Sequence, residues 1–317
     1  GVLLINLGTP DSTGWWDIRK YLKEFLSDKR VIEVNPILWQ IILNVFILTF
    51  RPSKTARAYK KIWMKEKNTS PLRYYTISQT EKVNKEIGNE NLIIDYAMRY
   101  GNPSIKNKIA DLQGKGCEKI IILPLYPQYA APTTATVCDE VYRTLMKLRW
   151  QPNLQIIPHY ESEPLYIDAI VNSLNKKMSQ IDWKPEVIVA SYHGVPKKYF
   201  EKGDPYHCYC HKTTRLISEK FDKIPIITTF QSRFGPEQWL QPYTDKTLES
   251  LPKEGKKNIL IICPGFASDC VETLEEINIQ GKASFLENGG VNFDLIPCLN
   301  DNSDHINLFE KLVSKYI

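Results

Sequence analysis

At 317 residues the chain is long enough for two α/β domains of ordinary size or for one large domain. Its 43% hydrophobic and 24% charged residues are typical of a globular protein. The formal net charge of +5 suits an anionic small molecule or an acidic membrane surface. Because no run of five like charges occurs, we do not expect nucleic-acid binding.

The seven cysteines and the first residues indicate the compartment. An odd number of scattered cysteines favours reduced thiols over a disulfide framework. The apolar segment 1–8 has no basic start and no small-residue cleavage site, so we interpret it as a buried strand rather than a signal peptide. These features predict a cytoplasmic protein.

Eight short apolar runs predict the strands of parallel sheets that are buried on both faces. The runs form two groups of four with a predicted helix, Leu165–Met178, between them. We therefore predict an α/β fold of two doubly wound domains, residues 1–155 and 156–300, with a last helix at 301–317 that packs back on the first. The predicted strands are Val2–Asn6, Leu92–Ala97, Lys119–Leu125, Leu154–Pro158, Val187–Ser191, Ile224–Phe230, Asn258–Cys263 and Asn292–Ile296.

The segment 36–50 is almost wholly apolar and interrupts this pattern. As a helix it would rise about 22 Å, less than the ~30 Å hydrocarbon core of a bilayer, so we do not expect it to span a membrane. Two interpretations stay open: a buried core helix, or a hydrophobic lip that dips into the bilayer surface. The basic residues that flank it are Lys29, Arg30, Arg51, Lys54 and Arg57.

Residues able to carry chemistry follow the predicted strands, where α/β folds place their ligands. His193 follows the fifth strand and precedes a Gly-x-Pro turn, and a neutral imidazole there can accept a proton or bind a metal. Glu272 and Glu276 share a face of the helix predicted after the seventh strand, while Glu275 turns partly away. Helix stabilisation alone could explain these carboxylates, but a cation or a shared proton between them is the alternative.

A second cluster, residues 207–211, contains two histidines and two cysteines. Its C-x-C spacing lacks the separation of common tetrahedral zinc sites, so the sequence argues against a structural zinc. An iron–sulfur cluster is likewise unsupported by the spacing.

Aromatic and basic residues follow other strands and suit the wall of a pocket for a flat anionic ligand. Arg99 could pair with a ligand carboxylate, and the stretch Leu123–Thr136 is rich in aromatic, proline and hydroxyl side chains. Together with the imidazole and the carboxylates, these residues indicate a cleft for a planar anionic ligand and a divalent metal.

Read together, these segments resemble the ferrochelatases over essentially the whole chain. The resemblance rests on Leu7–Pro10, Met98–Pro103, Leu125–Tyr129, the His193-Gly-x-Pro and Gly203-Asp-Pro-Tyr block, Gln231–Pro236, Pro264–Asp269 and Glu272–Glu276. It implies two Rossmann-like domains with a porphyrin cleft between them. It also implies insertion of Fe²⁺ into protoporphyrin IX, the last step of haem biosynthesis, with no cofactor.

The resemblance also implies residue roles. His193 and Glu272 would be catalytic and would meet the metal, with Glu276 behind them. The pocket would be lined by Leu7, Arg99, Tyr100, Tyr126 and Trp239. The segment 36–50 would fall in a lip that meets the inner face of the membrane, and a monomer and a homodimer are equally compatible with the sequence.

Three positions, which make two departures, differ from some members of that family. Cys270 stands where some carry a second histidine, and Asn278 and Gln280 stand where some carry another carboxylate, which weakens any outer metal site. The chain ends at Ile317 without a cysteine-bearing tail, so a tail-bound iron–sulfur cluster is not expected. The competing hypotheses are a chelatase for another tetrapyrrole or metal, such as coproporphyrin or cobalt, and a non-catalytic porphyrin or haem carrier.

Overall fold

A computed structural model describes all 317 residues and contains two parallel sheets of four strands each. Every predicted strand is present, which confirms the α/β fold. The sheets have equivalent strand orders, β2-β1-β3-β4 and β6-β5-β7-β8. The strands are β1 (Val2–Thr9), β2 (Ile94–Gly101), β3 (Lys119–Pro124), β4 (Asn153–Ile156), β5 (Val187–His193), β6 (Ile226–Gln231), β7 (Asn258–Ile262) and β8 (Asn292–Leu295).

Helices connect successive strands of both sheets, and three segments are π-helical. The α-helices are α1 (Trp15–Leu26), α2 (Pro36–Ile42), α3 (Leu48–Ile62), α4 (Pro71–Ile87), α5 (Ile105–Gly114), α6 (Thr136–Leu145), α7 (Pro164–Met178), α8 (Lys197–Glu201), α9 (Tyr206–Lys220), α10 (Thr244–Ser250), α11 (Lys282–Glu287) and α12 (Ser303–Ser314). The π-helical segments are Leu43–Ile47, Ala131–Ala135 and Glu272–Gly281.

The chain forms two compact units, each built around one sheet. The first contains residues 1–126, 130–159 and 306–317, and the second contains residues 127–129 and 160–305. The division lies at residues 159 and 160, and the chain from Ile306 onward belongs to the first unit. In this last helix Phe309 and Val313 are fully buried.

The central strands are apolar because helices cover both faces of each sheet. Leu3, Leu4 and Ile5 of β1 are fully buried, as are Ile188 and Val189 of β5. Such runs have no polar face to turn to water, which is why they were recognisable as strands of parallel sheets. Each sheet therefore ends in loops whose positions are fixed by a rigid core.

The apolar segment 36–50 lies within one continuous helix, Pro36–Ile62, of 27 residues. The helix is longer than the apolar run predicted, and by length and composition it could cross a membrane. Only 17% of its most apolar stretch is buried, so the interpretation as a buried core helix is wrong. Its large exposed side chains are Ile37, Leu38, Ile41, Val45, Phe46 and Phe50.

Candidate functional site

The second unit brings the predicted catalytic residues to the carboxyl edge of its sheet. His193 is the last residue of β5 and pairs in register with Gln231, the last residue of β6. Glu272 and Glu276 lie on the π-helical segment that follows β7. Parallel strands end at the same edge, so residues from three separate parts of the sequence become neighbours.

The orientation of the His193 ring is fixed by its own loop. Nδ1 lies 2.7 Å from the carbonyl oxygen of Gly194. A carbonyl can only accept, so Nδ1 carries the proton and donates it. In the neutral ring the lone pair is then on Nε2, which is the nitrogen able to take a proton or bind a metal.

Gly194 allows the close approach that this loop requires. A Cβ atom at this position would lie 2.7 Å from the carbonyl oxygen of Gln231 and 3.2 Å from the Trp239 ring. The amide of Gly194 instead donates to that Gln231 oxygen at 2.7 Å. Trp239 is nearly buried, and its Nε1 donates to the oxygen of Phe234. The predicted pocket residue Trp239 thus packs directly behind the His193 turn.

Ser232 holds the Glu276 carboxylate, a contact that the sequence analysis missed. Its hydroxyl donates to Oε2 of Glu276 at 2.5 Å, and its backbone has a φ of 67°, rare for a residue with a side chain. Burial raises the pKa of Glu276, and the Glu272 charge adds to this, while the Ser232 hydroxyl and His193 oppose it. A carboxyl group that takes up a proton more readily than usual therefore lies within electrostatic range of the imidazole.

Gln231 ties the strand ends to the start of the π-helical segment. Its Nε2 donates to the Glu272 carbonyl oxygen at 2.9 Å, and its Oε1 accepts from the Ser191 hydroxyl at 2.7 Å. The only sequence signal for Gln231 and Ser232 was their position directly after a predicted strand.

The segment Glu272–Gly281 is π-helical rather than the α-helix that the sequence predicted. The helix begins at Val271. Asp269, in the loop before it, accepts from the Thr273 hydroxyl and the Cys298 amide, which fixes that loop. Glu275, expected to turn partly away, is buried and accepts from Gln280 at 2.6 Å. Rare π-helical turns often occur at functional sites.

Arg99 and Tyr100 form a buried network within the first unit. Arg99 donates to the Asp28 carboxylate and, through Nε, to the Thr136 hydroxyl at 2.7 Å. Tyr100 is fully buried and donates to the same Asp28 oxygen at 2.9 Å. The guanidinium already has a protein carboxylate as its partner, and its role toward a substrate carboxylate stays a prediction.

The other two predicted pocket residues also lie in the first unit. Tyr126 is 8% exposed and belongs to the hydrophobic core on one face of the first sheet. Leu7 of β1 is partly buried and packs against that core. Their contact with a ligand stays a prediction.

Candidate metal ligands do not form a preassembled site of three or more side chains. No group of three or more His, Cys, Asp or Glu side chains is arranged to hold a metal ion. All seven cysteines are free. Cys270 is buried, which raises the pKa of its thiol, and Cys210 points into the core of the second unit. In the His-Cys-x-Cys-His cluster the Cys210 side chain is buried whereas Cys208 and His211 are exposed, so the four side chains do not converge on one point.

Solved structures with a similar fold include a sirohydrochlorin chelatase, SirB. SirB from Bacillus subtilis with Fe³⁺ has a TM-score of 0.56 at 13% identity and covers 99% of this chain and 94% of that chain. CbiX, described as the terminal enzyme for biosynthesis of siroheme in denitrifying bacteria, has a TM-score of 0.55 at 10% identity, with 100% and 99% coverage. At these identities the likeness shows the fold alone.

Sequence relatives are much more similar. The ferrochelatase of Allorhizobium ampelinum is 53% identical over 318 residues, which cover 99% of this chain and 92% of the relative. That of Francisella tularensis subsp. novicida is 50% identical over 320 residues, with 100% and 95% coverage. The family model described as Ferrochelatase matches residues 1–317. The resemblance inferred from the motifs is confirmed, and the chain belongs to the ferrochelatase family.

Proposed function

We propose that this chain inserts Fe²⁺ into protoporphyrin IX to give protohaem, as a ferro-lyase of haem biosynthesis. Membership of the ferrochelatase family and ferrochelatase relatives at 50–53% sequence identity support this activity. The structural observation that carries it is that His193 ends β5 while Glu272 and Glu276 follow β7 at the same edge of the second sheet, where the charges of His193 and Glu272 both act on Glu276. Iron and porphyrin are the substrates, and the proposal includes no resident cofactor.

The reaction requires two proton transfers. A porphyrin with two N–H groups must lose both protons as Fe²⁺ takes its four nitrogens, so the products are haem and two protons. Nε2 of His193 carries the lone pair that can accept the first proton, because Nδ1 already holds a proton and donates it to the Gly194 carbonyl. Glu276, whose pKa is raised by burial, can take the proton onward, and Glu272 serves metal delivery or proton removal.

Metal entry also requires a bent macrocycle, since the nitrogen lone pairs of a flat porphyrin lie in the ring plane. We propose that Trp239, packed behind the His193 turn, is part of the aromatic wall that holds the bent form. Binding energy from the remote parts of the ring can compensate for the strain of bending.

The test is anaerobic incubation with protoporphyrin IX and Fe²⁺, followed by the loss of porphyrin fluorescence. We expect His193→Ala and Glu272→Gln to lower kcat by about 100-fold or more, the usual contribution of a positioned acid or base. His159→Ala, which removes an exposed histidine of the first unit, is the matched control and should keep full activity.

The same assay separates the competing functions. A carrier would bind protoporphyrin but never metallate it, and Glu272→Gln would leave its porphyrin binding unchanged. A chelatase for another pair of substrates would turn over faster with coproporphyrin or with Co²⁺. Either result would overturn the proposal.

We further propose a cytoplasmic enzyme that contacts the membrane through residues 36–50. The support is the exposed apolar face of this segment, with six large side chains open to solvent, followed by basic residues of α3 such as Arg57 and Lys60. An apolar face next to cationic side chains suits the surface of an anionic bilayer.

A further inference from the structure

Two histidines on α9 lie on the same helix face and outside the site described above. His207 and His211 are four residues apart, and their ring centroids are 4.5 Å apart. This spacing places neighbouring side chains over one turn of helix. Paired histidines at this spacing on a helix are a common way to bind a divalent metal.

The position of the rings is set by an aromatic floor. The His207 ring is stacked on Phe230 at 5.8 Å with an angle of 18° and lies 5.1 Å from Phe200. His211 lies 6.1 Å from the same Phe230 ring. Because Phe230 is itself buried in β6, the imidazoles are held beside each other instead of moving freely in solvent.

The ring nitrogens are chemically available. His207 is half-buried and His211 is exposed, so an ion can reach the pair from solvent. Burial lowers the pKa of both imidazoles, and for His211 the neighbouring His207 lowers it further. Neutral imidazoles offer lone pairs to a metal at neutral pH.

We propose that His207 and His211 form an exchangeable binding site for a divalent transition-metal ion of the Zn²⁺ class. Imidazole ligands select zinc, copper, nickel and iron over magnesium or calcium. Two protein ligands leave the remaining coordination positions to water, so the ion binds reversibly and does not support the fold. Cys210 takes no part, since its side chain is buried in the core.

This site is separate from the catalytic cluster. Phe230 and Gln231 are consecutive residues of β6, so their side chains lie on opposite faces of the sheet. Phe230 contacts the histidine pair, whereas Gln231 contacts Ser191 and Glu272. The metal site therefore lies across the sheet from Glu272, and its existence does not depend on the proposed reaction.

The test is a titration of the porphyrin-free protein with Zn²⁺ against a fluorescent chelator. The parent should bind one equivalent of Zn²⁺ at this site. We expect His207→Phe, which keeps an aromatic ring on Phe230, and His211→Ala each to raise the Kd of that equivalent at least tenfold. His159→Ala and His193→Ala should retain that equivalent. Circular dichroism checks that every variant is folded.

Two results would overturn the inference. One is unchanged Zn²⁺ binding in both His207→Phe and His211→Ala, which would mean that the rings serve packing only. The other is loss of the equivalent in Cys208→Ala with retention in the histidine variants, which would assign the ion to the exposed thiol.

Discussion

One carboxylate oxygen of Asp28 accepts three hydrogen bonds, from Arg99, Tyr100 and Thr136. Burial would raise the pKa of this carboxyl, but the hydrogen bonds from Thr136 and the Arg30 amide and the charge of Arg99 lower it overall. All three of these donors belong to the protein itself, so the Asp28–Arg99 ion pair is an internal structural contact. It joins the end of β2 to the turn that follows α1.

The first prediction concerns the role of Arg99. Arg99→Met should lower the free energy of unfolding by about 3–5 kcal/mol, because it leaves the Asp28 charge buried without its cation. Urea unfolding measures the change. Arg215→Met, which breaks an exposed pair with Glu219, should cost less than about 1 kcal/mol. A raised KM with unchanged stability would instead assign Arg99 to the substrate.

The second prediction concerns Glu276 and pH. Its raised pKa means that the folded state prefers the protonated carboxyl, so its contribution to stability is present at acid pH and is lost as pH rises through the raised pKa. Glu276→Gln stays neutral and should be more stable than the parent at alkaline pH by about 0.5–2 kcal/mol.

Unfolding in urea at acid and at alkaline pH tests this. The difference between Glu276→Gln and the parent should shrink toward acid pH. Glu287→Gln, at an exposed residue of helix α11, should show no such trend. A difference that is constant with pH would contradict the assignment.

The third prediction separates the two features of Ser232. Both Ser232→Ala and Ser232→Gly remove the hydrogen bond to Glu276, so both should lower activity to the same extent. Only glycine relieves the positive φ of this position, so Ser232→Gly should be about 1 kcal/mol more stable than Ser232→Ala. Equal stability of the two variants would mean that the backbone stores no strain.

Among the elements, the long helix Pro36–Ile62 is the one whose exposed apolar surface is not explained by packing against the protein core. Phe46 is 57% exposed and Phe50 is 73% exposed. The fourth prediction is that Phe46→Glu and Phe50→Glu each weaken binding to anionic vesicles, measured by sedimentation, at least tenfold. Stability should change by less than about 0.5 kcal/mol, since neither ring is in the core.

Met146→Glu is the control for this experiment, because Met146 is 80% exposed in the same unit but lies outside the helix. It should bind vesicles like the parent. Equal binding by all three variants and the parent would remove the support for membrane contact.

The strands were predictable from the sequence, whereas the helix geometry at the site was not. A strand buried on both faces is a continuous apolar run, and all eight runs became strands. Glu272–Gly281 looked α-helical because its carboxylates are four residues apart. Nothing in that spacing distinguishes π from α winding, and the contacts that the segment makes with Gln231 and with the loop at Asp269 come from distant parts of the sequence or from the loop's own conformation.

The same limit applies to the site residues. His193 was found because it stands at a strand end beside a Gly-x-Pro turn. The internal partner of Arg99 was not found, because Asp28 lies 71 residues away in the sequence. Contacts between distant segments are set by topology, and a single sequence does not reveal them.

At the scale of the whole molecule, the last helix returns the chain to the first unit. The fifth prediction is that Phe309→Ala, which removes a fully buried ring, costs about 3–5 kcal/mol. Hydrogen exchange should then increase in β1 and β3 of the first unit before it increases in β5 and β7 of the second. The reverse order would place the helix with the second unit.

This return of the chain also sets the order in which the two units can be completed during synthesis on the ribosome. The second unit has all its residues once the chain has emerged as far as His305, whereas the first unit still lacks Ile306–Ile317. Domains usually fold from the amino terminus onward as they are translated. Here the unit that starts first must wait for residues 306–317, so the apolar surface that Phe309 and Val313 cover stays open until this helix has emerged.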